Sequence, residues 1–301
     1  MKPNFFIIGA PKCGTTALAT YLNEHKDVFI SNPKEPHFFA DDFPHYKKAF
    51  PNIEKYESIF KEGFLKKTKR VGEASVWYLY SKIAVSNVKK YSPNSKIIIM
   101  LRNPIDLISS LHKQLLWSLD EEIESLTEAL EAIEQRKIKQ KLPNNCREPK
   151  FLLYDEIIDF VPQLENVYKH FSPNNVKIIF FDDFINNPLN TYKGVLTFLG
   201  IDYDGKTVFP KINERKKSRI NFIANLTNRP PAFLRYLILL VKKIFKIKKI
   251  GLIKKIIKLN SKPILNKEID RKLVKSFFKD IDSNIDNLSE LTGINLNHWK
   301  D

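Results

Sequence analysis

Cysteine is scarce in this chain: Cys13 and Cys146 are the two in 301 residues. Two thiols build no disulfide framework, which suits a reducing compartment. No run of about 20 uncharged apolar residues occurs, so no membrane-spanning helix is expected. The first apolar run opens at Phe5, and no basic n-region, apolar h-region and small-residue cleavage site precede it. These absences give the expectation of a cytoplasmic protein. No grouping of His, Cys, Asp and Glu has metal-ligand spacing, so no metal is expected. Acidic residues are outnumbered: 34 Asp and Glu face 50 Lys and Arg, a net charge of +16. That excess suits an anionic partner, whether nucleotide, acidic glycan, membrane surface or nucleic acid. Heavy use of Lys, Ile and Asn along the whole chain accounts for part of it without any functional demand.

What is present organises as α/β. Hydrophobic content of 43% supplies a sizeable core. Short uninterrupted apolar runs suit strands buried on both faces of a parallel sheet, and they fall at Phe5–Gly9, Arg70–Gly72, Lys96–Leu101 and Val176–Asp182. Helical segments are expected between them at 15–25, 81–91, 104–117, 121–140, 157–170 and 188–199. The expectation is one domain over 1–301, a central parallel sheet flanked by helices. One segment, about 229–262, differs from the rest. From Arg235 to Lys262 it carries ten basic residues and no acidic one, interleaved with apolar residues. It reads as one or two basic amphipathic helices, either packed on the core with a solvated lysine face or touching a membrane surface or acidic acceptor.

Residues 5–22 carry the sharpest signal. The apolar run Phe5–Ile8 meets a turn built on Gly9, Pro11 and Gly14, and a helix opens at Thr15–Thr16. Strand, glycine loop and helix N-terminus together make a phosphate cradle, with backbone N–H groups and the helix dipole facing the anion. Gly9, Gly14 and Thr16 match the P-loop spacing, but Thr15 stands where a Walker lysine belongs and Lys12 lies inside the loop. A nucleoside triphosphatase needs that lysine on its β/γ-phosphates, so this loop suits a ligand with less phosphate at that end.

The order P-K-C-G-T-T (11–16), K-E-P-H-F-F (34–39) and R-N-P-I-D-L-I-S-S (102–110) resembles the sulfotransferases that use 3′-phosphoadenosine 5′-phosphosulfate (PAPS). It is most like their carbohydrate branch, which includes the heparan sulfate sulfotransferases. The resemblance implies a P-loop-like sulfotransferase fold, PAPS as sulfuryl donor and a carbohydrate or glycolipid acceptor. It implies no nucleic-acid partner. Acceptor identity and oligomeric state are not legible. Sulfuryl transfer needs a cation near the leaving bridging oxygen and a base for the acceptor's proton. Lys12 is the candidate cation. Cys13, Gly14, Thr15 and Thr16 line the 5′-phosphate with it. By resemblance, Glu35 is the base, and His37 is the second candidate because a histidine does this work in relatives that sulfate phenols and steroids. By the same resemblance, Arg102 and Ser110 hold the 3′-phosphate, Ser109 being the adjacent alternative to Ser110. In the basic loop 213–219, Arg215, Lys217 and Arg219 are candidates to close over the nucleotide. Trp77 or Tyr78, in G-E-A-S-V-W-Y, is a candidate for stacking on a sugar or flanking the adenine.

Two other readings compete. A P-loop kinase would use Asp182 and Asp183 as metal-holding carboxylates, but it lacks the Walker lysine. A basic binding module without catalysis would need neither a base nor a second phosphate clamp.

Overall fold

Phe5–Gly9 forms β1 at the centre of the sheet, and all five residues are buried. Apolar side chains on both pleat faces leave this strand no solvent side, so it is covered by helices on both. The computed structural model describes residues 2–47, 49–212, 216–218, 261–263 and 270–300. The other strands of the sheet are β2 (Val28–Ile30), β3 (Arg70–Glu73), β4 (Lys96–Leu101) and β5 (Val176–Phe180), in spatial order β2-β3-β1-β4-β5. Every pairing is parallel: Phe5 lies opposite Gly72 on one side and Lys96 on the other, and Leu101 lies opposite Phe180. A side chain at Gly72 would put its Cβ 2.4 Å from the Phe5 carbonyl, so β3 approaches β1 only as glycine. Parallel strands place every strand-to-helix loop at one edge of the sheet, where ligands bind in open α/β folds.

The chain divides into two compact units. The first comprises Met1–Leu111, Leu153–Asn213 and Arg271–Asp301 and contains the five-stranded sheet. Its helix Thr15–Asn23 buries Leu18, Ala19, Tyr21 and Leu22, an i, i+3, i+4 stripe facing the core. The second comprises His112–Leu152 and Glu214–Asp270. Within it, Arg136 pairs with Glu121 at 2.8 Å with both side chains fully buried, and Arg147 forks onto Asp120. β6 (Lys216–Ser218) pairs antiparallel with β7 (Ser261–Pro263).

Four readings of the sequence change. β2 is a three-residue strand that the apolar pattern does not announce. β5 stops at Phe180, because Phe181–Asn186 already turns as a helix. The segment 121–140 is two short helices, Leu126–Glu131 and Ile133–Lys137, broken at Ala132 so that Arg136 reaches back to Glu121. Of the stretch 229–262, only Ser261 and Lys262 are described, and they are extended in β7 where helix is expected; the rest lies outside the described residues. No helix among the described residues is long and apolar enough to cross a membrane.

Candidate active site

The phosphate loop is built as its composition requires. The Ala10 N–H donates to the Met100 carbonyl at 2.7 Å, so the loop leaves β1 still tied to β4. Lys12 and Gly14 both adopt left-handed backbone, φ 65° and φ 88°. Left-handed residues here turn successive N–H groups to one side, the geometry of an anion nest. Gly14 is the N-cap of Thr15–Asn23 and supplies no side-chain cap. Its carbonyl accepts from the Ala17 and Leu18 N–H groups, and no side chain competes with an anion for the first turn. A Cβ on Gly14 would sit 3.1 Å from the Phe181 ring. Cys13 is fully buried, and burial pushes its thiol up to about 12 against the charges of Arg102 and Lys12. It is therefore no nucleophile at neutral pH. The charge of Asp182 adds to the upward push of burial on this thiol.

Arg102 leaves β4 directly, and its guanidinium lies 4.6 Å from the centroid of Phe181. Phe181 thus touches both halves of the site: it limits the loop at Gly14 and supports Arg102 from below. Asn103 caps the helix Pro104–Ser118, its Oδ1 accepting the Ile105 N–H at 3.0 Å. Ser109 and Ser110 are both buried on that helix. Asp182, which the kinase reading would give to a metal, accepts the Trp299 indole N–H at 2.7 Å.

The second cluster follows β2 and β3. Lys34 Nζ lies 2.5 Å from Glu35 Oε1, and His37 Nε2 lies 3.3 Å from Glu35 Oε2. Glu35 and His37 meet through a turn of the backbone. His37 has φ 51°, a left-handed turn that brings its ring back to the carboxylate. Its ring is 2% exposed and stacked on Tyr46 at 4.0 Å. Facing a carboxylate, Nε2 carries the proton and donates, and Nδ1 is left as a buried acceptor with no hydrogen-bond partner. Burial raises the Glu35 carboxyl, but the His37 hydrogen bond and the Lys34 charge outweigh it and hold the group at about 2. Burial lowers the His37 pKa against the pull of Glu35.

Behind this pair sits Glu73, the last residue of β3, with no exposed surface. Tyr56 and Tyr78 hydroxyls donate to its Oε1 at 2.7 and 3.1 Å, and the Ser75 hydroxyl donates to Oε2. Ser75 Oγ also accepts the His37 N–H at 2.9 Å, so one hydroxyl joins Glu73 to His37. Burial pushes the Glu73 carboxyl up to about 7, with these hydrogen bonds opposing.

The structure therefore brings Gly14 of the phosphate loop and Arg102 against Phe181, and Glu35 and His37 against each other. Trp77 and Tyr78 are core residues: Trp77 stacks near Phe43 and the Tyr78 hydroxyl serves Glu73, so both are buried away from a sugar. Arg215 and Arg219 lie outside the described residues, and Lys217 falls on β6. Sequence reasoning missed Phe181, Ser75 and the role of Glu73, while an ion pair between Arg102 and Asp106, four residues on, is legible in the sequence and present at 3.7 Å. The one signal available for Glu73 is an ionisable residue closing an apolar strand.

A family model described as the sulfotransferase domain matches residues 2–220. The chain is 25% identical over 208 residues to bifunctional heparan sulfate N-deacetylase/N-sulfotransferase 1 of Xenopus laevis, covering 66% of this chain and 22% of that one. It is 32% identical over 120 residues to the membrane-associated sulfotransferase kil1 of Dictyostelium discoideum, covering 38% of this chain and 24% of that one. It thus spans about a quarter of the length of these curated relatives. A sulfotransferase crystal structure from Alicyclobacillus acidocaldarius superimposes with a TM-score of 0.70 at 25% identity, covering 100% of both chains.

Proposed function

This chain belongs to the sulfotransferase family, and on that premise we propose that it moves a sulfuryl group from PAPS to a hydroxyl or amine of a carbohydrate-type acceptor. One observation carries the reading: the strand ends divide the work. The ends of β1, β4 and β5 bring Gly14 of the Lys12 loop, Arg102 and Phe181 together, while the loop after β2 and the last residue of β3 bring Lys34, Glu35, His37 and Glu73 together. The first group suits an anionic nucleotide and the second suits proton transfer. The donor fits the cradle at Gly14, where a Cβ would close the space against Phe181.

When bound, the donor supplies a sulfur linked to phosphate by a bridging oxygen that leaves easily. Lys12–Thr16 holds the 5′-phosphate, with Lys12 offering its ammonium to the negative charge that grows on that oxygen. Arg102 forks onto the 3′-phosphate, and Ser110 adds a hydroxyl. Glu35 accepts the acceptor's proton as the new sulfur–oxygen or sulfur–nitrogen bond forms and the bridging bond breaks. The name of the heparan sulfate relative and the K-E-P-H-F-F motif support a carbohydrate acceptor. The basic stretch 235–262 is a candidate second contact for an acidic acceptor or an anionic membrane surface.

Titration calorimetry with 3′-phosphoadenosine 5′-phosphate (PAP) in excess chelator tests the donor. Saturable binding is expected. Absence of PAP binding overturns the reading, and tighter binding of ATP with Mg²⁺ in a parallel titration without chelator favours the kinase. Transfer of labelled sulfate from PAPS to a panel of glycans and phenols then tests the acceptor class.

A further inference from the structure

We infer that Arg271 is a positioning residue for the donor's 3′-phosphate, acting by holding Asp106 away from Arg102. The inference rests on the donor reading above and extends it past residue 220, where the family match ends. Asp106 lies one helical turn beyond Arg102, and its Oδ2 is 3.7 Å from Arg102 Nη2. That separation is an ion-pair approach, too long for a hydrogen bond. The other oxygen, Oδ1, accepts from Arg271 Nη1 at 3.0 Å. The single carboxylate is therefore hydrogen-bonded to the arginine far along the chain, and Arg102, its neighbour in sequence, lies over the Phe181 ring.

Charge and geometry agree on the consequence. Two guanidiniums share the Asp106 carboxylate at the end of β4, Arg271 by a hydrogen bond and Arg102 by an ion-pair approach. Without Arg271, the Asp106 carboxylate has Arg102 as its nearby cation. It would then compete with a phosphate for that fork and repel the phosphate by like charge. Arg271 is in place to prevent this because the closing segment is tied to the same strand ends. The Asn103 side-chain amide donates to the Trp299 carbonyl at 2.8 Å, and Trp299 donates to Asp182. Lys275, one turn along the helix from Arg271, donates to the Lys300 carbonyl. The C-terminal segment thus supplies a residue to a site whose three named motifs, 11–16, 34–39 and 102–110, lie in the first third or so of the chain.

Calorimetry on the full chain, with PAP and with adenosine 5′-phosphate as probes, tests this. The two differ by the 3′-phosphate alone. In the unaltered protein PAP binds more tightly; equal binding of the two would overturn the donor reading itself. Arg271→Ala should weaken PAP roughly tenfold, the scale of one charge-assisted bond, and leave adenosine 5′-phosphate unchanged. Adding Asp106→Asn to that variant should restore most of the loss, since the competing charge is gone. Asp106→Asn alone should leave PAP binding as tight or tighter, and this arm does not depend on Arg271→Ala folding. Arg271→Lys keeps a cation on Asp106 and should retain PAP selectivity. Equal losses for both nucleotides in Arg271→Ala, no recovery in the double variant, or weaker PAP binding in Asp106→Asn would each overturn the role of Arg271.

Discussion

At the scale of the residue, Glu35 decides the chemistry. Lys34 and His37 together hold its carboxyl at about 2 against burial, so it is ionised across the physiological range and free to accept a proton. A carboxylate held so low is a weak base, and general bases work best with a pKa near the working pH. An acceptor hydroxyl that takes the place of Lys34 on Oε1 removes one of the groups holding it down. Glu35→Gln is expected to lower kcat by ~10²–10⁴-fold with PAP affinity unchanged. Near-normal turnover in that variant, with loss in His37→Ala, would move the base to His37. In His37→Ala the strongest of the groups lowering Glu35 is gone, so the acid limb of kcat should move to higher pH. Lys12→Ala differs from both, because its ammonium serves bound phosphate and leaving oxygen alike. Both nucleotide affinity and turnover are expected to fall, measured by calorimetry and sulfate transfer on one preparation.

At the scale of the element, the loop between β1 and its helix is shaped by Gly14. A side chain at φ 88° is strained, and its Cβ would press on the Phe181 ring at 3.1 Å. Gly14→Ala is expected to cost about 1–3 kcal/mol in chemical denaturation from the backbone alone. It should also weaken PAP, because Phe181 carries Arg102 on its face. A variant with normal stability and normal PAP affinity would show that the loop has another allowed shape. Much of this was legible in the sequence. A glycine, a lysine and two threonines between an apolar strand and a helix have few other uses, and short uninterrupted apolar runs announce buried parallel strands. What was hidden is non-local or short. β2 has three residues, too few to show a period. The break at Ala132 depends on a buried partner, Glu121, that lies before the first of the two helices. Arg271 and Trp299 join the site only when segments far apart in the chain meet.

At the scale of the whole molecule, the second cluster ties the site to stability through Glu73. Burial pushes this carboxyl from an ordinary 4.5 up to about 7. A carboxyl raised in the folded state is easier to keep as the neutral acid, so its favourable contribution is complete below 4.5. It is lost as pH rises, until above about 7 the fold carries the full cost of a buried charge. His37 works in the opposite sense: its lowered pKa adds stability above 6.5 that is lost as pH falls. Glu35, held at about 2, adds stability above 4.5 that is lost in acid. Because these contributions overlap, the pH curve of the unaltered protein does not isolate Glu73, but its difference from Glu73→Gln does. Glutamine keeps the shape, and the Tyr56, Tyr78 and Ser75 hydroxyls can rotate to meet an amide. Relative to the unaltered protein, Glu73→Gln should gain stability steadily from pH 4.5 to 7, by on the order of 3 kcal/mol, and hold that gain at higher pH. Urea midpoints at fixed ionic strength measure it, with salt held constant because a net charge of +16 makes stability sensitive to screening. A gap between the two proteins that stays constant across this range would mean that Glu73 keeps its charge throughout. The buried cluster behind Glu35 would then be a fixed anion and not a titrating one.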